Sequence, residues 1–330
     1  MSESADVTAT PAGVLDVEDL TVSFGVHGGR LVAVDSVSIT LGVGEIVGLV
    51  GESGCGKTTL ARSITGLVPQ DSGRIRLDGA DLSRRRSRQE HRAVQMVFQD
   101  PYSSLNPRLS IRSVLTELLH VHRLARGREG EARSRELMAL VGMPASALDG
   151  LPVAFSGGQR QRIAIARALA VEPRVLIADE PTSALDVSVQ ATILALFEDL
   201  RSRLGIGILM ISHNLAAVRQ LCDRVAVMYL GQVIETGTRS EMFSDPRHPY
   251  TVALLAAAPR VRRHTVESVR LTGEPPSPTD RPSGCPFHPR CPRAESVCAI
   301  EPPALAPARG TGALVACHFR DERRFVEDAP

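Results

Sequence analysis

Apolar and polar residues largely alternate along two successive stretches, Val14 to Phe24 (VLDVEDLTVSF) and Leu31 to Leu41 (LVAVDSVSITL), separated by Gly25 to Arg30 with three glycines. A period of two sends one set of side chains to each face of a strand, so the pair predicts an antiparallel hairpin. Further along, the alternation disappears. Glu45 to Val50 (EIVGLV), Val175 to Ala178 (VLIA) and Ile206 to Ile211 (IGILMI) are almost wholly apolar, the pattern of strands covered on both faces. Val94 to Phe98 reads as a further strand, and Arg74 to Leu77, bounded by Ser72-Gly73 and Asp78-Gly79, as a short one. Helical spacing runs over Thr59 to Leu67, through Ile111 to Val141, and along RIAIARALA from Arg162. Strands alternating with helices predict a mostly parallel α/β core with the antiparallel hairpin beside it.

The uninterrupted helical spacing places a mainly helical subdomain between roughly 100 and 155. Asp81 to Arg92 is highly charged and fits a solvated helix or loop better than a binding patch. Residues 1–13 are small and polar and are expected to be a disordered tail. After Pro259 the chain turns rich in proline and arginine and loses periodicity. The expected organisation is a main domain over 14–259 and a C-terminal extension over 260–330, stapled by bound ligands rather than by a core.

Composition narrows the possibilities. With 43% hydrophobic residues and a net charge of +1, the chain has ample material for a core and no overall charge pointing to nucleic acid or anionic lipid. The N-terminus MSESADVTAT has neither a basic region nor an apolar core, and no apolar run reaches the roughly 18 to 20 residues of a membrane span. The chain is therefore expected in the cytoplasm. Four of its six cysteines, Cys285, Cys291, Cys298 and Cys317, lie in the last 46 residues. In a reducing compartment such a cluster suggests metal before disulfide.

The chemistry begins at GESGCGKTT: Gly51, Glu52, Ser53, Gly54, Cys55, Gly56, Lys57, Thr58 and Thr59. Gly51, Gly56, Lys57 and Thr58 fill every fixed position of a phosphate-binding loop, between the strand and helix that such a loop requires. Glycines let backbone N–H groups turn onto phosphate oxygens, and the new helix adds the positive end of its dipole. Lys57 is placed for the β- and γ-phosphates and the Thr58 hydroxyl for Mg2+. Of 38 basic residues, 37 are arginine and Lys57 is the only lysine. Lysine survives where a compact ammonium suits the geometry better than a planar guanidinium.

Asp179 and Glu180 end the strand VLIA and bring two carboxylates toward that loop. Asp179 is suited to holding Mg2+ and Glu180 to polarising an attacking water. His213, after the strand IGILMI, is a candidate γ-phosphate contact, and Gln99, after Val94 to Phe98, a candidate γ-phosphate sensor. Ser156, Gly157, Gly158 and Gln159 open a second glycine-bearing helix suited to an anion. One nucleotide needs one cradle, so the second predicts a head-to-tail dimer sandwiching two ATP molecules.

The set GESGCGKTT, Gln99, FSGGQ, VLIADE, SALD (Ser183 to Asp186) and His213 resembles the ATPase subunits of ABC transporters, with the motifs in family order. FQDPYSSLNPR, HPYT and GEPPSPTDRPSGCPFHPRCP resemble the oligopeptide/dipeptide importer branch. The resemblance implies an ABC ATPase fold, with antiparallel β and helical subdomains, that hydrolyses MgATP to drive peptide import. It also implies that Phe24 stacks on adenine, although a core position in its strand would explain that residue equally. Gln99 would join Thr58 and Asp179 at the metal and link the γ-phosphate to the helical subdomain, and Asp186 would contact the opposing subunit. The implied partners are a second ATPase subunit, a paralogue in preference to a second copy, together with two membrane permease subunits and an extracytoplasmic peptide-binding protein, at the cytoplasmic face of the membrane. Asn214 departs from the aspartate more usual after the switch histidine, which predicts weaker support of His213, and Phe155 replaces a leucine.

The cysteines are separated by 5, 6 and 18 residues, which matches neither the usual zinc pattern nor a common ferredoxin run. Similarity to importer ATPases implies a [4Fe-4S] cluster on Cys285, Cys291, Cys298 and Cys317; zinc, recruiting His288 or His318, and unligated thiols stay open. Cys55 and Cys222 read as a small loop residue and a buried helix residue. Three other functions compete with peptide import: the same ATPase serving another solute such as a nickel chelate, a soluble non-transport ABC ATPase working on nucleic acid or ribosomes, and a metal-dependent regulator whose ATPase is secondary.

Overall fold

A computed structural model describes residues 13–322 apart from 27–28, 101–103, 184, 258–272 and 278. The expected tail therefore lies outside the described residues, save Gly13. β1 (Leu15–Val26) and β2 (Gly29–Leu41) form the hairpin, paired from Leu15 opposite Leu41 to Val26 opposite Gly29. β3 (Ile46–Val50) leads into α1 (Lys57–Ile64), so the helix starts two residues before the expected Thr59. Then come β4 (Ser72–Leu77), β5 (Ala80–Asp81), α2 (Arg88–Ala93) and β6 (Val94–Val97). The charged run thus resolves into a short strand and a capped surface helix, Ser87 and Glu90 forming the reciprocal capping box.

α3 (Ile111–Val121) and α4 (Gly127–Leu140) fill the predicted helical stretch. Ile111, Leu115 and Leu119 form a buried stripe at four-residue spacing, and Leu137 and Met138 belong to the same core. The chain continues through α5 (Gly157–Leu169), β7 (Val175–Asp179), α6 (Val187–Leu204), β8 (Gly207–Ile211), α7 (Leu215–Leu221), β9 (Arg224–Tyr229) and β10 (Gln232–Thr238). After α8 (Arg239–Ser244) and α9 (Pro249–Ala257), the C-terminal segment adds α10 (Ser296–Ile300), β11 (Ala306–Pro307) and β12 (Leu314–Val315).

Two sheets result. The smaller has the order β2-β1-β4-β5, and the larger β11-β12-β10-β9-β3-β8-β7-β6. Strands β9, β3, β8, β7 and β6 run parallel, with β3 between β8 and β9. Every residue of β3, β7 and β8 is buried, as continuous apolar strands require when both faces are covered. Val47, Leu49, Ile177 and Leu209 face Leu60 and Ile64 of α1 and the hairpin's Val22 and Val34. Ile46, Val50, Leu176 and Ala178 face the opposite core, with Ile193 and Phe197 of α6. After β3 the chain builds β6, β7 and β8 on one flank before crossing to β9 on the other, so the switch point lies beside the C-terminal end of β3.

The C-terminal segment departs from the sequence expectation. It is not stapled by ligands alone: Phe287 is fully buried against Tyr229 and Tyr250, and β12 pairs antiparallel with β10, extending the larger sheet. Its apolar residues, scattered among prolines, add to an existing core and so show no periodicity of their own.

Candidate nucleotide site

The carboxyl ends of the parallel strands share one edge, and four of the predicted site segments leave from it. The phosphate loop follows β3, Gln99 follows β6, Glu180 follows β7 and His213 follows β8.

The loop can lie flat only with glycine at its bends. At Gly56 φ is 107°, and a Cβ there would stand 2.2 Å from the carbonyl oxygen of Ala33 in β2. Gly56 is also the N-cap of α1, with no side chain capping the helix and no acidic residue in its first turn. The first N–H groups of α1 thus keep their capacity for an anion, whereas α2, α5, α6, α7 and α8 are all capped by a side chain. Lys57 is 6% exposed, and its ammonium donates to the carbonyls of Gly51 at 2.9 Å and Glu52 at 2.8 Å. Cys55 is buried beside it, Sγ 3.5 Å from Nζ, and burial pushes its thiol up despite that cation.

The Thr58 hydroxyl donates to Asp179 Oδ1 at 3.3 Å, joining two of the predicted metal ligands. Burial raises the Asp179 carboxyl above its ordinary range, opposed by the Thr58 hydrogen bond. Gln99, expected with them at the metal, bonds the neighbouring acid in this structure: its Nε2 donates to Glu180 Oε2 at 2.9 Å. His213 Nδ1 lies 3.2 Å from the other oxygen, Glu180 Oε1. Glu180 has φ 47°, the left-handed region that costs a non-glycine residue free energy. Its N–H is tied to the Ile211 carbonyl of β8 at 2.9 Å. The structure thus brings Thr58 to Asp179 and both Gln99 and His213 to Glu180.

The second glycine-bearing helix start sits against α6. A Cβ on Gly158 would meet Val189 Cγ1 at 2.4 Å, and one on Gly157 would meet Leu185 Cδ2 at 3.3 Å. Ser156 and Gln159 satisfy each other in a capping box. Asp186 caps α6, accepting from Ser188 Oγ at 2.7 Å and Val189 N at 2.9 Å, and the Ser188 bond chiefly lowers its pKa. Phe24 is 38% exposed on β1, unlike a core residue. Asn214 caps α7, accepting from Ala216 and Ala217 N–H groups, and its amide donates to Gln190. An aspartate would cap this helix equally well, so the cap does not explain the departure from an acid.

Sequence reasoning missed the residues behind the loop. Glu52 receives both terminal nitrogens of Arg290, and its N–H donates to Tyr250 Oη at 2.9 Å. Tyr250 lies in HPYT and Arg290 in the segment ending HPRCP, so both are visible as motif residues without a role.

Cys285, Cys291, Cys298 and Cys317 line one cavity of about 30 Å³, with His288 and His318 at its wall. All four are free thiols. Each histidine has one ring nitrogen at a backbone carbonyl: His288 Nδ1 at Cys285 O and His318 Nε2 at Glu301 O. Among the described residues no three histidine, cysteine, aspartate or glutamate side chains are arranged to hold an ion as they stand. The cysteines therefore converge without forming a ligand shell. Cys222 is fully buried in the core as expected, but it is the extended C-cap residue after α7 and not part of the helix.

Residues 34–183 match the family model described as ABC transporter, and residues 234–298 match that of the oligopeptide/dipeptide transporter C-terminal region. A Brucella abortus (strain 2308) protein named as a peptide import ATP-binding protein is 48% identical over 310 residues, covering 92% of each chain. A Sinorhizobium fredii protein named as a peptide ABC transporter ATP-binding protein is 47% identical, covering 93% of this chain and 90% of that one. Among solved structures, cbiO1 of Clostridium perfringens, part of an ABC transporter complex, aligns with TM-score 0.63 at 30% identity, covering 71% of this chain and 92% of its own. A dimeric ATP-binding cassette bound to ADP and phosphate aligns with TM-score 0.61 at 26% identity, covering 68% and 98%.

Proposed function

The chain belongs to the ATPase subunits of ABC transporters, and from that premise we propose that it hydrolyses MgATP to drive import of di- or oligopeptides. The observation carrying the hydrolytic half is the Glu180 carboxylate, placed at the sheet edge between Gln99 and His213. Gln99 and His213 orient the carboxylate, leaving it to accept a proton from water attacking the γ-phosphate. The amides of Gly51 to Thr59 and the start of α1 would receive the phosphates, with Lys57 transferring from the loop carbonyls to their oxygens. Thr58 and Asp179 would hold Mg2+, which neutralises charge on the phosphates when bound. Phe24 is exposed enough to stack on adenine.

Ser156 to Gln159, together with Asp186, would face the nucleotide of a second ATPase subunit, a paralogue in this reading, within a complex of two permeases and a peptide-binding protein. The helical segment around 100–155 would carry closure of that dimer to the permeases, at the cytoplasmic face of the membrane. Among the described residues no helix is long and apolar enough to cross a membrane. The unit over 14–259 is then the cassette and 260–330 its extension. A [4Fe-4S] cluster, with zinc as the competing occupant, would be held by Cys285, Cys291, Cys298 and Cys317, which line one cavity but would have to close around it; no step of hydrolysis involves it.

The test is uptake of labelled dipeptide, longer peptide and nickel by cells carrying the native protein or Glu180→Gln. Loss of peptide uptake alone supports the proposal and sizes the substrate. Loss of nickel uptake, or of none, rejects the peptide assignment.

A further inference from the structure

Each polar group of Glu52 is held from a different place. Its N–H donates to Tyr250 Oη of α9 at 2.9 Å, its carbonyl accepts Lys57 Nζ at 2.8 Å, and its carboxylate takes Arg290 Nη1 and Nη2 at 2.8 and 3.0 Å. The Arg290 side chain is 5% exposed, and its guanidinium lies 5.9 Å from the ring centroids of Tyr229 and Phe287. Nη1 also donates to Tyr229 Oη at 3.3 Å. A guanidinium walled by aromatic rings needs a carboxylate close by, and a two-pronged pair fixes direction as well as distance. The same segment of chain grips the other side of the loop. Arg281 donates to Asp35 Oδ2 at 2.6 Å and to the Val32 carbonyl at 2.8 Å, bracketing Ala33, whose carbonyl oxygen occupies the space denied to a Cβ on Gly56.

We infer that Arg290 is a positioning residue for the phosphate loop. By fixing the Glu52 carboxylate it sets the backbone whose amides and whose Lys57 contact serve the nucleotide. Arg281 holds the strand against which the loop closes. The inference rests on the reading of residues 51–59 as the ATP cradle.

The experiment measures steady-state hydrolysis and equilibrium MgATP binding for the full-length native protein in its transporter complex, and for Arg290→Gln, Glu52→Gln and the double variant. Each single variant is expected to raise KM and Kd for ATP on the order of tenfold, below the roughly 10²-fold that a 1 Å misplacement costs. The kcat should stay within about twofold, and the double variant should be no worse than either single one, since one interaction is lost in all three. Arg290→Lys keeps the charge without the fork and should retain a raised KM. A contact that served folding alone would lower Vmax through the active fraction and leave KM unchanged; that result, additive effects in the double variant, or a native KM in Arg290→Lys would overturn the inference. If the native protein binds no MgATP, the cradle reading falls as well. Native binding with unaffected variants sinks only the role of Arg290.

Discussion

Gln99 Nε2 donates to Glu180 Oε2 at 2.9 Å, so a residue just beyond β6, where the chain heads for its helical segment, holds the acid that follows β7. With His213 Nδ1 on the second oxygen, Glu180 is oriented by two strands other than its own. Glu180→Gln keeps the shape but cannot take a proton. It should lower kcat by roughly 10² to 10⁴ while ATP still binds and holds the dimer closed. Single-turnover hydrolysis measures this, and wild-type turnover would remove Glu180 as the base.

The bend at Gly56 sets a second expectation. Gly56→Ala places a methyl group 2.2 Å from the Ala33 carbonyl oxygen at φ 107°. It should cost roughly 1–3 kcal/mol from the backbone alone and abolish MgATP binding. Denaturant unfolding and nucleotide titration read the two effects separately.

Glu241 predicts a pH dependence. Burial opposes its ionisation, but hydrogen bonds from Thr238, Thr311 and Gly312 outweigh it and hold the carboxyl at about 2, against an ordinary 4.5. Because the folded value is depressed, this stability is fully present above pH 4.5 and is lost as pH falls toward 2. Glu241→Gln should lose about 1–2 kcal/mol at pH 7, a deficit that shrinks between pH 5 and pH 3. Urea midpoints of both proteins across that range provide the check; a constant deficit would refute the assignment.

Much of this arrangement was legible in the residues because each signal is local. Continuous apolar runs gave β3, β7 and β8, period-two alternation gave the hairpin, and glycine spacing gave the loop. Thr58, Asp179, Glu180 and His213 sit next to those runs, so their place at the sheet edge followed. Arg290 and Glu52 are 238 residues apart, and nothing periodic joins an arginine among prolines to a glutamate in a glycine loop. Nor does spacing reveal that Asn214 caps a helix, or that Phe287 enters a core built by other segments. β9 shows only a short apolar run, which does not distinguish a buried strand from a buried helix, and β10, QVIETGT, has neither a continuous apolar run nor a clean alternation.

The cysteine cavity gives a chemical test. Protein purified without oxygen should carry iron and acid-labile sulfide, and Cys291→Ser should lose both. Metal and sulfide analysis decides it: zinc without sulfide would replace the iron assignment, and unchanged iron in Cys291→Ser would defeat it.

Amine chemistry reports on the loop directly. An amine-directed reagent should modify only Lys57 and the N-terminus, the chain having no other lysine, and MgATP should protect Lys57. Labelling indifferent to nucleotide would contradict its placement at the phosphates.

That solitary lysine also gives the protein a single scissile bond for a lysine-specific protease, between Lys57 and Thr58 in the first turn of α1. The bond lies where Lys57 is 6% exposed, so cleavage waits for the turn to open. Each opening that is caught splits the chain into two fragments, 1–57 and 58–330, making fragment yield over time a clock for the opening of the nucleotide site itself.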